Sequence, residues 1–402
     1  MSLTEAQLLE DVRQRLFSAT NSQAAQTIGL ELELIPLHAK THAPALATGD
    51  ARVSTATVVS ELGRREGWHE QSSGGDPPSW RLKDGGSISF EPGGQLEIST
   101  APQPTASVVI DSTQNLVAML REEMSNAGIE LVARGVDPYN DIDVVPLQLH
   151  RERYAEMTRY FDSIGPSGVR MMRQTAALQI NLERGPDPES RWRLLNALAP
   201  IVVALFANSR QYAGKRTEWA SYRAQLWRTL DTSRTGIAYD AAAPEKRYLT
   251  FAMDALAMRH QGGTDYRRFR DWMNEPAIDM EDWLFHLSTL FPEVRAKEFF
   301  ELRSADTIEP SALAAPVVFV TGLVYDEASA RTAVDLLDAP SEELLERAGR
   351  LGLTDPVIRR IASRLVVVAL DGARRLGNDY LRQGHLSAAY QYFARALSTT
   401  EI

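Results

Sequence analysis

The chain has 402 residues, 44% apolar and 24% charged, and a net charge of −10; it is long enough for a large core, ordinary for a globular protein, and too acidic for a general nucleic-acid-binding role. It contains no cysteine, which excludes disulfides, thiol catalysis, Cys-ligated zinc and cysteine redox switching, and its seven His show no HExxH or HxH zinc spacing. No apolar run reaches the roughly 20 residues that span a bilayer, so no membrane partner is expected.

The amino-terminal MSLTEAQLLEDVRQRLF reads as an amphipathic helix, acidic early and without the apolar core of a signal peptide, so a cytoplasmic location is expected. Ile28 to Pro36, IGLELELIP, then alternates as a strand, with Glu31 and Glu33 on one face and Leu30, Leu32 and Leu34 on the other. Leu37 to Ala51 reads as a loop, and Ser54 and Thr55 open a helix to about Glu66. Gln71 to Ser79, QSSGGDPPS, is expected to be another loop.

Ser87 to Thr100, SISFEPGGQLEIST, holds two extended runs around a Pro-Gly-Gly turn. Ser87, Ser89 and Glu91 oppose Ile88 and Phe90; Gln95, Glu97 and Ser99 oppose Leu96 and Ile98. A long helix is expected from Pro104 and Thr105 to about Asn126, a short strand over Ile129 to Val136, and a loop over Asp137 to Pro146. Arg151 to Phe161 reads as helix and Ser163 to Gly168 as a mobile segment. Leu178 to Leu182, LQINL, is again a strand, with Gln179 and Asn181 on one face.

Pro188 to Tyr212 is read as mostly helix, Gly214 to Gly236 as an Arg- and Trp-rich segment, and Pro244 to Met258 as an apolar stretch followed by a polar linker to about Tyr266. Trp272 to Leu287 reads as partly helical, and Phe299 to Arg303, FFELR, as a strand with Glu301 and Arg303 sharing a face. From Ser311 the pattern is helical to the end, giving one catalytic domain with a C-terminal helical part.

One Glu on a strand is ordinarily a solvated edge residue. Here four separated strands repeat one design, an apolar face against a face of acids, amides and one Arg, and Glu is depleted from strands. Paired Glu on one strand face repel unless a cation lies between them. Oxygen donors without a His or Cys cluster suit Mg2+ or Mn2+, and Mg2+ is commonly completed by phosphates, which points to nucleotide chemistry on a sheet. The chain has no P-loop and no GxGxxG after a strand, so metals and Arg side chains would have to hold the phosphates. Candidates are Arg216, Arg223, Arg228, Arg234 and Arg303, with Arg303 foremost because it shares a face with Glu301.

SFEPGGQLEIST (89–100) resembles the signature of the plant and actinobacterial type of glutamate–cysteine ligase. GLELEL, MMRQTAALQINL, the Ser221, Arg223, Trp227, Asp231 and Arg234 block, and HLSTLFPEVRAKEFFELR are similar to further blocks of that family, in the same order. The resemblance implies an α+β fold: an antiparallel glutamine-synthetase-like catalytic sheet flanked by helices, with residues 1–310 as the carboxylate–amine ligase domain and 311–402 as a helical part packed on it. It implies ATP and Mg2+, with Mn2+ as an alternative, and ligation of the glutamate γ-carboxylate to the cysteine amine through an acyl phosphate.

By the same resemblance Glu31, Glu33, Glu91, Glu97 and Glu301 are metal ligands. Gln95, Gln179, Asn181 and Arg223 bind substrate, and Arg234 and Arg303 hold carboxylates or the transferring phosphoryl group. Two departures stand out. Without cysteine the disulfide regulation of plant members is absent, and Arg303-Ser304-Ala305-Asp306 replaces the family's usual Arg-Tyr-Leu-Asp-like ending, which leaves another amine acceptor open. A phosphagen-kinase-like phosphotransferase is the alternative from a different enzyme class, and a nucleotide-binding scaffold without turnover the non-enzymatic one.

Overall fold

The structure, a computed structural model, describes residues 3–20, 26–49, 54–258 and 266–398. Its strands are β1 (Ile28–His38), β2 (His69–Ser73), β3 (Asp76–Arg81), β4 (Ser87–Phe90), β5 (Leu96–Ser99), β6 (Ile129–Val132), β7 (Ala177–Leu182), β8 (Gln211–Tyr212), β9 (Lys215–Arg216), β10 (Thr235–Gly236), β11 (Phe291–Pro292), β12 (Val294–Ala296) and β13 (Phe300–Asp306). Nine of them form one antiparallel sheet in the order β12-β13-β7-β1-β5-β4-β3-β2, with β6 pairing the far half of β1. The fold is therefore α+β with an antiparallel sheet, as expected.

The alternation read from the sequence sets which face is buried. Leu30, Leu32, Leu34, Ile88, Leu96, Ile98, Leu178, Ile180, Leu182, Phe300 and Leu302 are all buried on the apolar side. Helices Ala106–Asn126 and Pro188–Leu205 pack against that side. Each is started by a side-chain cap, Thr105 accepting from the Val108 amide and Asp187 from that of Ser190. Helix Ala314–Val324 is buried along its whole length and lies among the C-terminal helices Pro356–Arg375 and Gln383–Ser398. One continuous apolar cluster runs from Leu30 in the sheet to Phe393 in the last helix.

Two local expectations are corrected, and a third segment gains a defined place between helices. The segment read as a loop over Gln71 to Ser79 is the β2–β3 hairpin, turned by Gly74 and Gly75 at positive φ. Its prolines, Pro77 and Pro78, lie outside the Trp80–Arg81 stretch that pairs with β4, so they remove no bond from that side. The segment expected to be mobile, Ser163 to Gly168, joins two helices: Gly165 (φ 127°) breaks the first and Pro166 opens the second. The strand expected over Ile129 to Val136 ends at Val132. The polar linker expected from Met258 to Tyr266 falls mainly outside the described residues.

Candidate active site

Strand register brings the four polar faces into one row. Glu301 lies opposite Asn181, Glu31 opposite Gln179 on one side and Ser99 on the other, and Glu33 opposite Glu97, which in turn lies opposite Ser89. Because the ladders are antiparallel and in register over these residues, the β13–β7 shift lying beyond Leu302, one alternation decides every side. The part of the row from Glu31 to Ser89 faces a cavity of about 350 Å³ lined by Glu31, Glu33, Glu91, Glu97, Arg223 and Arg303 among others, whereas Glu301 and Asn181 are not among its lining residues.

The Pro92-Gly93-Gly94 turn closes one end of the row. A Cβ on Gly93 would stand 2.0 Å from the Arg173 carbonyl oxygen, so only glycine allows the turn to press on that backbone. Gln95 fixes the same contact: its Nε2 donates to the Thr175 carbonyl at 2.8 Å, and its Oε1 accepts from the Gly93 amide at 2.9 Å. Gln95 lines the cavity, yet its side chain is engaged with backbone on both atoms; it is placed to tie the hairpin down rather than to reach a substrate.

The acids fall into two groups. Glu301 is fully buried and ringed by cations: Arg295 reaches both of its oxygens at 2.7 and 3.0 Å, and Lys297 and Arg303 also contact it. Burial by itself would raise its pKa, but the three cations outweigh that and hold it far below the usual carboxylate range. Glu31 accepts from Asn181 at 3.0 Å and lies 3.8 Å from Lys297, and burial and then Glu301 raise its pKa.

Glu33, Glu91 and Glu97 form no ion pair among the described residues. Glu33 accepts from the Ala177 amide at 2.7 Å and from Gln179 at 3.1 Å. Even so, burial and then the neighbouring Glu97 push its pKa up to about 7. Glu91 is raised well above the usual range by burial and then by Glu97 and Glu33, and it lies within hydrogen-bonding reach of Glu97, an arrangement that requires a proton or a cation between them. Ser89 and Ser99 both donate to Glu97 at 3.1 Å.

The arginines separate in the same way. Arg303 follows Leu302 at an irregularity in the β13–β7 ladder, where the register shifts before Ala305, and it contacts Gln179 and Glu301. Arg223, buried, donates to the Arg303 carbonyl at 2.8 Å, stacks 4.3 Å from the Trp227 ring and faces Asp306 at 3.9 Å. Burial draws its pKa down, opposed by Asp306.

Arg234 does not belong to the cavity. It is fully buried, with Nε on Asp231 at 2.6 Å and its terminal nitrogens on the carbonyls of Thr289 (3.0 Å) and Leu256 (2.5 Å). The expectation that it contacts substrate is corrected: Asp231 and two carbonyls consume its fork. The HLSTLFP motif supplies Thr289 for this purpose, and its Phe291 pairs alongside Thr235 and lines the cavity. Arg216 lies on β9, exposed and away from the cavity, and Arg228 pairs with Glu293 and Glu342.

Several cavity residues were not singled out from the sequence. Arg153, Tyr154, Met157 and Arg295 line it, beside Met171, Met172 and Trp227 of the blocks already quoted. A signal for Arg295 and Lys297 existed, since Val294 and Ala296 are apolar and alternate with them. Four of the lining arginines (Arg153, Arg223, Arg295 and Arg303) keep a buried Nε–H with no partner among the described residues. A cavity with unspent buried donors on one wall and crowded carboxylates on another is suited to an anion and a cation together.

Among the described residues no group of three or more His, Asp or Glu side chains is gathered closely enough to hold a metal ion as they stand. The donor chemistry nevertheless fits a hard divalent cation. Glu33, Glu91 and Glu97 are unpaired carboxylates, and Asn181 Oδ1 is a buried acceptor without a donor. Glu301 as it stands departs from a metal ligand, because its oxygens are taken by side-chain cations.

Comparison with known proteins bears on this site. The model of glutamate–cysteine ligase family 2 (GCS2) matches residues 27–401. The glutamate–cysteine ligase EgtA of Mycobacterium tuberculosis is 31% identical over 341 residues, covering 79% of this chain and 76% of that protein. The chloroplastic glutamate–cysteine ligase of Nicotiana tabacum is 30% identical over 375 residues, 86% of this chain and 70% of that protein. The fold also matches a crystal structure of glutamate–cysteine ligase from Francisella tularensis in complex with AMP, with a TM-score of 0.54 at 11% identity, over 94% of this chain and 83% of that one.

Proposed function

The chain belongs to glutamate–cysteine ligase family 2, an ATP-dependent ligase family, and from that premise we propose that it joins the γ-carboxylate of glutamate to the amine of L-cysteine with hydrolysis of ATP. The observation that carries the reading is the row Glu31, Gln179, Glu33 and Glu97 lining a cavity whose other lining residues include arginines with unspent donors.

A carboxylate is a poor electrophile. In the proposed reaction a γ-carboxylate oxygen of glutamate attacks the terminal phosphorus of ATP; an O–P bond forms, the bond to the leaving ADP oxygen breaks, and γ-glutamyl phosphate results. The amine nitrogen then attacks the acyl carbon, phosphate leaves with its oxygen, and the nitrogen sheds a proton. Arg303 and Arg223 present positive charge to substrate carboxylates and to the transferring phosphoryl group. Gln179 holds Glu33 and contacts Arg303, so acid and base are fixed relative to one another. Glu33, Glu91 and Glu97, with Glu31, would hold Mg2+ or Mn2+, and the metal supplies neutralisation of charge on the phosphates.

The lining also includes Met157, Met171, Met172, Trp227 and Phe291, apolar and polarizable side chains that suit a thiol-bearing acceptor. The proposal places the reaction in the cytoplasm, where ATP and a reduced thiol coexist. Gln95 and Arg234 enter it as positioning residues only.

Phosphate release with ATP, Mg2+ and glutamate, measured against each of the twenty amino acids with mass spectrometry of the product, tests the reading. Release that requires glutamate and cysteine together, with γ-glutamylcysteine as product, is the expected result. Release with a different amine transfers the proposal to that acceptor, and release with no pair overturns it.

A further inference from the structure

Behind Arg223 lies a carboxylate that the proposed reaction leaves unused. Asp306, the last residue of β13, is 1% exposed and is not among the residues lining the cavity. Its Oδ2 accepts from the Asn208 amide and from the Ser209 hydroxyl, both at 2.7 Å, and its Oδ1 accepts from the Ser221 hydroxyl at 2.9 Å. A Cβ on Gly135 would stand 2.3 Å from its Cγ, so backbone is pressed against the carboxylate and fixes it in place.

Both hydroxyls pass the contact on. Ser209 Oγ accepts from the Arg223 amide at 3.1 Å, and Ser221 Oγ accepts from the Ala224 amide at 3.0 Å. These amides lie in the first turn of the helix Tyr222–Leu230, where no carbonyl of the helix itself can reach them. A hydroxyl polarised by a carboxylate is the stronger acceptor, and negative charge is favourable at that end of a helix. Asp306 therefore anchors the start of the helix that brings Arg223 and Trp227 to the cavity.

The same carboxylate faces the charged end of Arg223. Nη1 lies 3.9 Å from Asp306 Oδ1, Nη2 donates to the Arg303 carbonyl at 2.8 Å, and the Trp227 ring lies 4.3 Å from Cζ. One anion thus holds Arg223 at both its amide and its guanidinium. Resting on the proposed role of Arg223 towards a substrate anion, we infer that Asp306 is a positioning residue of the ligation: through Ser209, Ser221 and its own charge it sets where the Arg223 guanidinium lies in the cavity.

Asp306→Asn keeps the shape and removes the charge. In steady-state kinetics with cysteine, or with whichever amine supports phosphate release, it should raise KM for one anionic substrate, glutamate or ATP, by about thirtyfold, with kcat within about threefold. The same substrate should show the raised KM in Arg223→Lys, and the double variant should be no worse than Arg223→Lys alone, since both changes act through one guanidinium. A merely structural role would lower the folded fraction, and with it kcat, at unchanged KM. If Asp306→Asn does not fold, Ser221→Ala, which removes one hydroxyl of the relay, carries the same comparison with a KM shift of about fivefold. An unchanged KM, a loss in kcat alone, a rise for a different substrate from that in Arg223→Lys, or losses that add in the double variant overturns the inference. Wild-type protein that releases phosphate with no amine overturns the ligase reading, and this inference with it.

Discussion

The two ends of the acid row solve one electrostatic problem in opposite ways. At the β13 end Glu301 is buried and held ionised by Arg295, Lys297 and Arg303. At the β4–β5 end Glu33, Glu91 and Glu97 crowd together with no ion pair among the described residues, and Glu33 and Glu91 are driven towards the protonated form. A buried carboxylate with its partners is an anchor, whereas carboxylates left to repel one another are an unfilled demand for positive charge. The same residue type on the same sheet face thus serves two ends, and which one it serves is decided by the strand next door.

Substitutions at the two ends should therefore separate activity from stability. Glu97→Gln is expected to lower turnover by about a thousandfold. Its unfolding midpoint should hold or rise, since a repelling charge is removed; near wild-type turnover would take Glu97 out of the site. Glu301→Gln should instead cost about 3–5 kcal/mol of stability in urea denaturation, because three cations lose their counter-charge. A loss below about 1 kcal/mol would show that the β13 end is not the anchor described here.

Arg234→Lys offers a control outside the row. It breaks bonds to Asp231, Thr289 and Leu256 and should cost about 2 kcal/mol of stability. The KM and kcat of the folded fraction should stay within about threefold, a difference of less than 1 kcal/mol. A large change in KM for glutamate with stability intact would return Arg234 to the substrate.

The smallest effect is in pH. Glu33 in the unfolded chain loses its proton near 4.5, whereas in the folded protein it keeps it to about 7. Over that window the folded state binds more protons, so stability falls as pH rises from 4.5 towards 7. Mn2+ must displace that proton, so its affinity should rise across the same window by up to about tenfold per pH unit. A flat Mn2+ profile would mean that Glu33 is ionised throughout.

Much of the strand architecture was legible in the sequence. Period-two alternation in IGLELELIP, SISF, LEIS, LQINL and FFELR identified strands of the catalytic sheet and the face each turns to the core. It failed at the β2–β3 hairpin, where Gly-Gly and Pro-Pro are the marks of a loop and pairing is decided by a neighbouring strand instead. It also passed over Arg295 and Lys297, because a three-residue strand gives alternation too little length to register.

What the sequence determined by itself is the chemistry of each face: which positions carry acids, amides and arginines, and that these oppose an apolar side. Side-chain direction on a strand is local and follows from the pleat alone. What only the tertiary structure decided is which of those groups meet. The β12–β13 pairing placed Glu301 against Arg295, with Lys297 and Arg303 beside it, and the β1–β5 register placed Glu33 against Glu97. Folding spent the side chains of Gln95, which lines the cavity, and of Arg234, which does not, on backbone groups. Electrostatic partnership depends on distances of a few ångströms, often between segments far apart in sequence, and a one-dimensional pattern carries no record of that spacing.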